Sequence, residues 1–578
     1  MKYMTSSINI IALYGICFLN ILYMHIFIIK TCNTEFGLSW VSWIDNLSGI
    51  VFDITIISLL SYLFSYKFKR IGIILTFLLT LGWSFCNITY SRFFHSYLSL
   101  SAIEQFSSLF DPVVVESTFH GIHYQDMFFI ISPILFFFIY GKTNEIDSIK
   151  YITKQIHATF VLFLLSLSAH AIDCFVNPDY RYLAYYSNRI FSRHIGKHLA
   201  ICSPISTTFA RGSIRMLGLE FYEQIKGAEK LTKEQISRIE YTIKESEESM
   251  VGLQADDKMQ KNIIFIIVES YLSFTSDLII DGKEITPNLN TLKHDSTVYY
   301  NGHVQSNITL GESSDGQYTY MTGLLPLRSV ITISKARNRT LPGLPKVFAQ
   351  KGVKSIMIIP TQPTLWDQTE MCQQYGFNML YSSSDLIGDH DLSLNDQQVF
   401  ELASNENIFP SQHENYFSVI LTMSMHQPYT SPVDPSFSLQ DPSLSDDLKN
   451  YLNACHYTDK YIGKFINQLK STGHYDNSII IIASDHHIHS TDFGSDIPKE
   501  LPLYIINGHI DHAKAWFGEC NQIDIYTTLL DLLGYRNKYC GLGHSLLNST
   551  YENSLSKEKW TISEWILLGD YFKTMQQE

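Results

Sequence analysis

Charge is what this chain has least of. Only 17% of its 578 residues are charged, while 46% are hydrophobic and 13% aromatic. A water-soluble protein usually carries about a quarter charged residues, so a uniformly soluble enzyme is a poor description. Positive charge is the scarcer sign. The 42 Lys and Arg fall short of the 56 Asp and Glu, and the net charge of −14 excludes the basic surface that nucleic acid requires. Cysteine is sparse as well. Nine are present, four of them (Cys17, Cys32, Cys86, Cys174) in or beside the apolar first third, and no Cys-x-x-Cys occurs. Cys520 and Cys540 are the one pair considered for an exported domain, and spacing alone does not favour a disulfide over two free thiols. The first apolar run also lacks a small-residue cleavage site and is followed by more of its kind, so it reads as an uncleaved anchor, not a signal peptide.

What the chain has is apolar length at one end. Five stretches, Ile8–Ile29, Gly49–Tyr66, Ile71–Tyr90, Ile122–Tyr140 and Ile156–Val176, each approach the span of a bilayer, which takes roughly 20 residues. The fourth is the weakest, with a short dense core and Pro133 inside it. One such stretch would pass for a buried helix of a soluble protein. Five within the first 180 residues read as a membrane domain of five transmembrane helices over residues 1–177. Lys67, Lys69 and Arg70, and then Lys142, Lys150 and Lys154, load the loops on one side; residues 30–48 and 91–121 carry little more than Lys30 and Arg92. Positive loops stay cytoplasmic, so the N-terminus is expected inside and everything after about residue 177 outside. A site out there has no ATP, and any activated donor has to come from the membrane.

Residues 178–260 read as a helical connector. Arg181, Arg189, Arg193 and Lys197 follow the membrane exit, placed either to meet lipid headgroups or simply to be solvated. Lys230–Met250 reads as an amphipathic helix with a Thr232/Gln235 capping box and Ile236, Ile239 and Ile243 on one face, packing the connector on the next domain. From Lys261 strand and helix patterns alternate. Asn262–Val268, Lys354–Ile359, Tyr416–Thr422 and Ser478–Ala483 are apolar runs of the kind buried in parallel sheets, and Leu452–Leu469 and Gln522–Leu533 are helical. Such strands share a carboxyl edge, where ligands bind. Glu269, His426, Asp485 and His486 lie just past three of these strands and would gather there. Each alone passes for a turn residue; together they point to a metal site. Between the first two strands lies Asn307–Gly323, NITLGESSDGQYTYMTG. It reads either as a nucleophile loop at a helix N-terminus, with a hydroxyl activated by a metal, or as a plain Ser-rich turn with an N-cap.

The motifs IIVES, GESSDGQ, MSMHQPY, HYTDKYIGKF, ASDHH, QIDIYTTLLDLLGY and GLGHSL occur in that order between Lys261 and Leu546. In this the chain resembles the lipoteichoic acid synthase family of membrane sulfatase-like enzymes, within the alkaline phosphatase superfamily. The external YSRFFHSYLS after the third span is similar too. The resemblance implies a sulfatase-like α/β domain with a mostly parallel central sheet over residues 261–550, followed by a tail at 551–578. It implies one divalent metal ion, Mn²⁺ favoured with Mg²⁺ or Zn²⁺ as alternatives, held by Glu269, Ser313, Asp485 and His486. Ser313 would be the nucleophile, with Ser314 its rival. His426 and Trp366 would contact substrate, as would Gln368, which stands where the family usually has an arginine. His487 carries over no ligand role, and Asp396 and Asp459 read as structural.

The implied activity is transfer of a phosphoryl headgroup, phosphoglycerol first, from a membrane phospholipid to an envelope glycan or glycolipid outside the bacterial cytoplasmic (inner) membrane, through a phospho-Ser intermediate. Phosphoethanolamine transfer ranks second, because Val268-Glu269-Ser270 lacks the glycine those enzymes usually place before the acid. A membrane-tethered binding protein with a degenerate site is the reading from another class. Two departures bear on the headgroup. Gln368 supplies no charge, and Ile359-Pro360-Thr361 stands where the family usually has His-Gly. Cys-x-Pro-x-Arg, which sulfatases need for formylglycine, is absent.

Overall fold

A computed structural model of the chain describes residues 2–31, 40–65, 69–94, 96–104, 122–143, 148–176, 208–209, 212–226, 228, 230–252, 262–328, 330–363, 365–387, 393–411, 413–427, 429, 434, 436–488 and 497–577. It divides into two units, Met1–Glu104 with Thr118–Gly227, and Gln105–Ser117 with Ala228–Glu578. The first holds helices α1 (Lys2–Thr31), α2 (Trp40–Phe64), α3 (Lys69–Phe94), α4 (Phe128–Tyr140) and α5 (Ser148–Val176). All but α4 are long and apolar enough to cross a membrane; α4 belongs to a shorter apolar helix, Tyr124–Tyr140, with Pro133 inside it.

Polarity in this unit is inverted relative to a water-soluble bundle. Ile130, Ile134 and Phe138 of α4 and Phe160 and Val161 of α5 are exposed. Polar groups pair inside instead. Ser132 Oγ donates to Asn20 Oδ1 at 2.7 Å, and Arg92 grips Asp126 through two bonds of 2.7 and 2.8 Å. Lipid offers polar groups no partner, so this is the arrangement a bilayer selects. Helix α2 begins at Trp40, nine residues ahead of the apolar run at Gly49. Asp45 and Asn46 lie in that polar lead-in; Asp45 accepts from Ser166 Oγ, and Asn46 Nδ2 donates to the Phe209 carbonyl at 2.7 Å.

Past α5 the chain comes back to this bundle. Helix α6 (Ser213–Lys226) starts against the middle of α2. There Asp53 Oδ2 accepts the N–H and Oγ–H of Ser213 at 2.7 and 2.9 Å, and Oδ1 accepts the Ile214 N–H at 3.2 Å. Trp83 Nε1 donates to Ser213 Oγ at 2.8 Å. The carboxylate thus answers the orphan N–H groups and dipole of a helix start. Gly212, at φ +93°, has no room for a Cβ, which would lie 2.6 Å from Asp53 Oδ1. Asp53 is about 20 Å along the α2 axis from Trp40, close to the length of α6 itself. The expected single connector is therefore divided between the units. Helix α7 (Lys233–Glu248) belongs to the second, with Thr232 and Gln235 bonded reciprocally at 3.2 and 2.9 Å and Ile239 and Ile243 buried.

The second unit is built on an eight-stranded sheet of β1 (Asn262–Val268), β2 (Tyr299–Gln305), β3 (Lys354–Ile358), β4 (Met379–Tyr381), β5 (Tyr416–Leu421), β6 (Ser478–Ser484), β7 (Leu501–Ile506) and β8 (Cys520–Asn521). The spatial order is β8-β2-β7-β6-β1-β5-β3-β4, and β7 alone runs antiparallel to its neighbours. Strands β1, β5 and β6 are buried at every residue, and each fully buried Ile contributes roughly 1.5–3 kcal/mol. The mostly parallel sheet is as expected, while β2 and β7 escape the sequence pattern. Pro502 sits inside β7, opposite Gly302 and His303, where the β2 register shifts between Asn301 and Val304. That irregularity accommodates a residue with no N–H to give.

Register decides what the carboxyl edge presents. Val268 pairs with Ser484 and Ile267 with Leu421, so β1, β5 and β6 end level. Around the sheet lie α8 (Ser313–Thr322), α9 (Gln368–Tyr375), α10 (Asp446–Ser471), α11 (Gln522–Leu532) and α12 (Lys557–Leu568). The expected tail is integral to this unit: Arg328 pairs with Glu564 at 2.9 Å and Ser563 Oγ donates to the Leu325 carbonyl at 2.7 Å. Cys520 and Cys540 are both buried free thiols.

Candidate active site

Because β1 and β6 end level, Glu269-Ser270 and Asp485-His486 leave the sheet side by side. Ser270 turns sharply, at φ 50°. Its N–H and the His486 N–H both donate to Asp485 Oδ1 at 2.8 Å, so that oxygen is occupied and Oδ2 faces the cluster, 3.6 Å from His486 Nε2. His486 Nδ1 lies 2.8 Å from the His487 carbonyl. A ring nitrogen against a carbonyl carries the hydrogen, which leaves Nε2 of the neutral ring as the atom that could hold a metal. Nε2 is 3.3 Å from Glu269 Oε1, and one ligand atom from each of Glu269, Asp485 and His486 falls within 4.8 Å of the others. His487 thus acts through its carbonyl, by setting the ring of His486.

The loop before α8 is drawn tight by Asp315, which accepts from Thr309 N–H and Oγ–H at 2.9 and 2.8 Å, Gly311 N–H at 2.9 Å and Thr332 Oγ–H at 2.7 Å. Glu312 then takes φ 46° and ψ −121°, a conformation few residues other than glycine enter. Ser313, first in the helix, is half-buried, with Oγ 3.0 Å from Glu269 Oε2 and 3.1 Å from His486 Nε2. Ser314 Oγ is buried and donates to the Gly311 carbonyl at 2.6 Å. Of the two rival serines, the structure brings Ser313 to the cluster. The stripe Ser313, Gly316, Tyr320 faces the strand end. A Cβ on Gly316 would lie 2.2 Å from the Asp485 carbonyl oxygen, and Tyr320 Oη donates to the Ser484 carbonyl.

Burial shapes the electrostatics. Glu269, Asp485 and His486 are 5%, 3% and 7% exposed. Burial alone would raise the Glu269 carboxyl, but His486 beside it outweighs that and holds it well below the usual range. Burial, and then the charge of Glu269, push Asp485 far up. Burial works against a charged His486 ring, yet Asp485 and Glu269 overcome it and keep its proton well above the ordinary imidazole value. Two carboxylates, an imidazole nitrogen and a hydroxyl in one buried spot form a hard donor set for a divalent cation. Such an ion would relieve the repulsion that burdens Asp485.

The remaining candidates lie on neighbouring turns. His426 follows β5, its Nδ1 2.6 Å from the Gln427 carbonyl, near enough to help depress Glu269. That turn is held by Asp396, which accepts the N–H groups of Met423 and Ser424 at 2.7 and 2.9 Å. Asp459 accepts the Asn288 and Leu289 N–H groups at 3.1 and 2.7 Å. Trp366, half-buried at φ 53°, and Gln368 follow β3. Gln368 is 4% exposed, and its Nε2 donates to Gln317 Oε1 at 3.1 Å. Its own Oε1 is buried and unpartnered among the described residues. Ser270 and Glu312 were missed by sequence reasoning, although both adjoin candidates that it named; Gln522 opens a motif and a helix, but nothing local there assigns it a role at the site.

A family model, Sulfatase, matches residues 261–535. Lipoteichoic acid synthase 2 of Bacillus subtilis (strain 168) is 25% identical over 521 residues, covering 85% of this chain and 76% of the relative. Lipoteichoic acid synthase of Staphylococcus aureus (strain USA300) is 26% identical over 546 residues, covering 87% of this chain and 79% of that one. Residues 261–535 are thus similar to the sulfatase family, and most of the chain is similar to lipoteichoic acid synthases. The crystal structure of the lipoteichoic acid synthase LtaP from Listeria monocytogenes, 20% identical, covers 58% of this chain and 98% of its own, with a TM-score of 0.46. In this lipoteichoic acid synthase-like chain the sulfatase match begins one residue before β1 and ends just past α11. It therefore contains Glu269, Ser313, Trp366, Gln368, His426, Asp485 and His486.

Proposed function

We propose that the protein transfers a phosphoryl headgroup, phosphoglycerol in the first place, from a membrane phospholipid to a glycan or glycolipid outside the cytoplasm. Its relatives support a sulfatase-family phosphotransferase. The observation that carries the reading is Ser313 Oγ at 3.0 and 3.1 Å from two members of a buried Glu/Asp/His cluster. Glu269, Asp485, His486 and Ser313 would hold the divalent cation, Mn²⁺ favoured, which when bound lowers the pKa of the hydroxyl and neutralises charge on the donor phosphate.

Ser313 Oγ attacks phosphorus, the bond to the glyceride oxygen breaks, and diacylglycerol leaves with the serine's proton. An acceptor hydroxyl then attacks the phospho-Ser, forms the new phosphodiester, and its proton returns to Ser313. In this reading His426 stabilises charge or carries protons between them. Trp366 and Gln368 contact the headgroup in this reading. No ATP is consumed, because the donor ester supplies the leaving group. The apolar helices hold the catalytic domain at the donor's bilayer, with the N-terminus inside and the domain outside. The buried, neutral Oε1 of Gln368, unpartnered among the described residues, keeps phosphoethanolamine as the second reading, since an acceptor there suits an ammonium as well as a hydroxyl. Incubating the full chain in vesicles with headgroup-labelled phosphatidylglycerol or phosphatidylethanolamine separates the two. Diacylglycerol release is expected with phosphatidylglycerol, and release from neither lipid defeats both readings.

Metal binding carries a pH signature. The raised His486 holds a proton near neutrality that a cation must displace. Affinity for Mn²⁺ is expected to rise with pH through neutrality, by about tenfold per pH unit for each proton displaced, and to level off above the raised values. The stability that protonated His486 gives the metal-free protein runs the other way: it is complete below the ordinary imidazole value and lost as pH rises through the raised one. Mn²⁺ titration followed by electron paramagnetic resonance at about pH 6, 7 and 8 reads the first effect. A pH-independent affinity removes His486 from the ligand set.

A further inference from the structure

Gln522 opens α11 and is fully buried, just past β8, which in the strand order lies on the opposite side of β1 and β6 from β5 and β3. Its one amide group touches three pieces of the site. Nε2 donates to the carbonyl of Asp485 at 2.6 Å, with the Ser484 carbonyl at 3.3 Å and Tyr320 Oη at 3.1 Å also in reach. Oε1 accepts the Asn307 N–H at 2.6 Å and the Ser306 hydroxyl at 3.3 Å. In return, Asn307 Oδ1 accepts the Ile523 N–H at 3.1 Å. The orientation of the amide is fixed by its partners, because a flip would set oxygen against two carbonyls and NH₂ against an N–H.

The Asp485 carbonyl belongs to the peptide that joins two candidate ligands. Its His486 N–H is at the same time bonded to Asp485 Oδ1. Holding that peptide plane holds both side chains. Asn307 starts the loop that ends in Ser313, and Tyr320 lies on the nucleophile helix, two turns on from Ser313. We propose that Gln522 is a positioning residue: its amide clamps the Asp485–His486 peptide to the Ser313 loop and so sets the distance between nucleophile and metal ligands. It touches neither substrate nor metal. Only a side chain with one acceptor and two donors at this length does this. Glutamate turns oxygen toward two carbonyls, leucine keeps the shape with no bonds, and asparagine falls short by a methylene. The inference rests on the proposed roles of Ser313 and the Glu269/Asp485/His486 cluster.

The test uses the full chain in vesicles, with Gln522→Glu, Gln522→Leu, Gln522→Asn and, as a milder change, Tyr320→Phe. Three quantities are read well below each variant's unfolding temperature: Mn²⁺ dissociation constant, kcat at saturating Mn²⁺, and KM for the donor lipid. For Gln522→Glu and Gln522→Leu the Mn²⁺ constant is expected to rise about 10- to 100-fold and kcat to fall at least as far, with lipid KM within about twofold of the parent. Gln522→Asn recovers part of both losses, and Tyr320→Phe shifts both in the same direction by less. If the glutamate and leucine variants melt earlier but keep parental Mn²⁺ affinity and kcat, the residue only supports the fold and the inference is overturned. If they do not fold, Tyr320→Phe decides, and parental values there overturn it. A parent protein that neither binds Mn²⁺ nor releases diacylglycerol defeats the functional reading instead.

Discussion

Ser313→Ala is expected to lower headgroup transfer by about 10⁴-fold or more while leaving the protein folded. The side chain is half-buried, and among the described residues its hydroxyl bonds to Glu269 and His486 alone. Its removal takes away no packing and the whole of the attacking group. The neighbouring substitution gives the opposite profile. Ser314→Ala deletes a buried bond to the Gly311 carbonyl, costs about 1 kcal/mol of stability and retains transfer to within about tenfold. Diacylglycerol release from labelled lipid measures both variants, and intact mass after mixing with donor shows whether the headgroup adduct forms. Full activity in Ser313→Ala, or loss in Ser314→Ala alone, moves the nucleophile elsewhere.

Gly316→Ala acts on the same step without touching a reacting group. The new methyl would lie 2.2 Å from the Asp485 carbonyl oxygen, 2.8 Å from its carbon and 3.0 Å from its Cα. All three atoms are backbone, so no side chain can rotate aside. Either α8 or the end of β6 has to move by about 1 Å. Overpacking of this kind costs about 1–3 kcal/mol, and a misplacement of that size costs about 10²-fold in rate. The expected result is a folded protein with a lowered melting temperature, a kcat reduced about 10²-fold, and little change in KM for lipid. A kcat within a few fold of the parent would show that α8 and the ligand strand are not held at contact distance.

What could be read in advance divides along physical lines. Strands β1, β5 and β6 were legible because a strand buried on both faces must be apolar throughout. The polar residues that follow them were legible as a group because parallel strands share an edge. Thr232 and Gln235 were legible because a capping box is local. The rest depends on partners distant in sequence. Asp45 and Asn46 argue against extending α2 ahead of Gly49 until their bonds to Ser166 and the Phe209 carbonyl are seen. Pro502 argues against a central strand until the irregularity in β2 is seen opposite it. Gln522 looks like any helix-opening glutamine, and its significance lies in contacts 37 and 215 residues away. The two rival serines are adjacent in sequence, and the helix start at Ser313 separates them by pointing one hydroxyl at the cluster and the other at Gly311.

Asp53 also imposes an order on biogenesis. It is synthesised 160 residues before Ser213, the residue whose N–H and hydroxyl it accepts. At about 5–20 residues per second, roughly ten seconds or more separate the two. Through that interval α2 carries a carboxylate at mid-helix with no α6 to cap, and a central aspartate costs about 2.5–3.5 kcal/mol on insertion. The helical bundle is thus a provisional body until α6 arrives to meet Asp53. A chain arrested before that point keeps an aspartate among its apolar helices without the helix start that it caps.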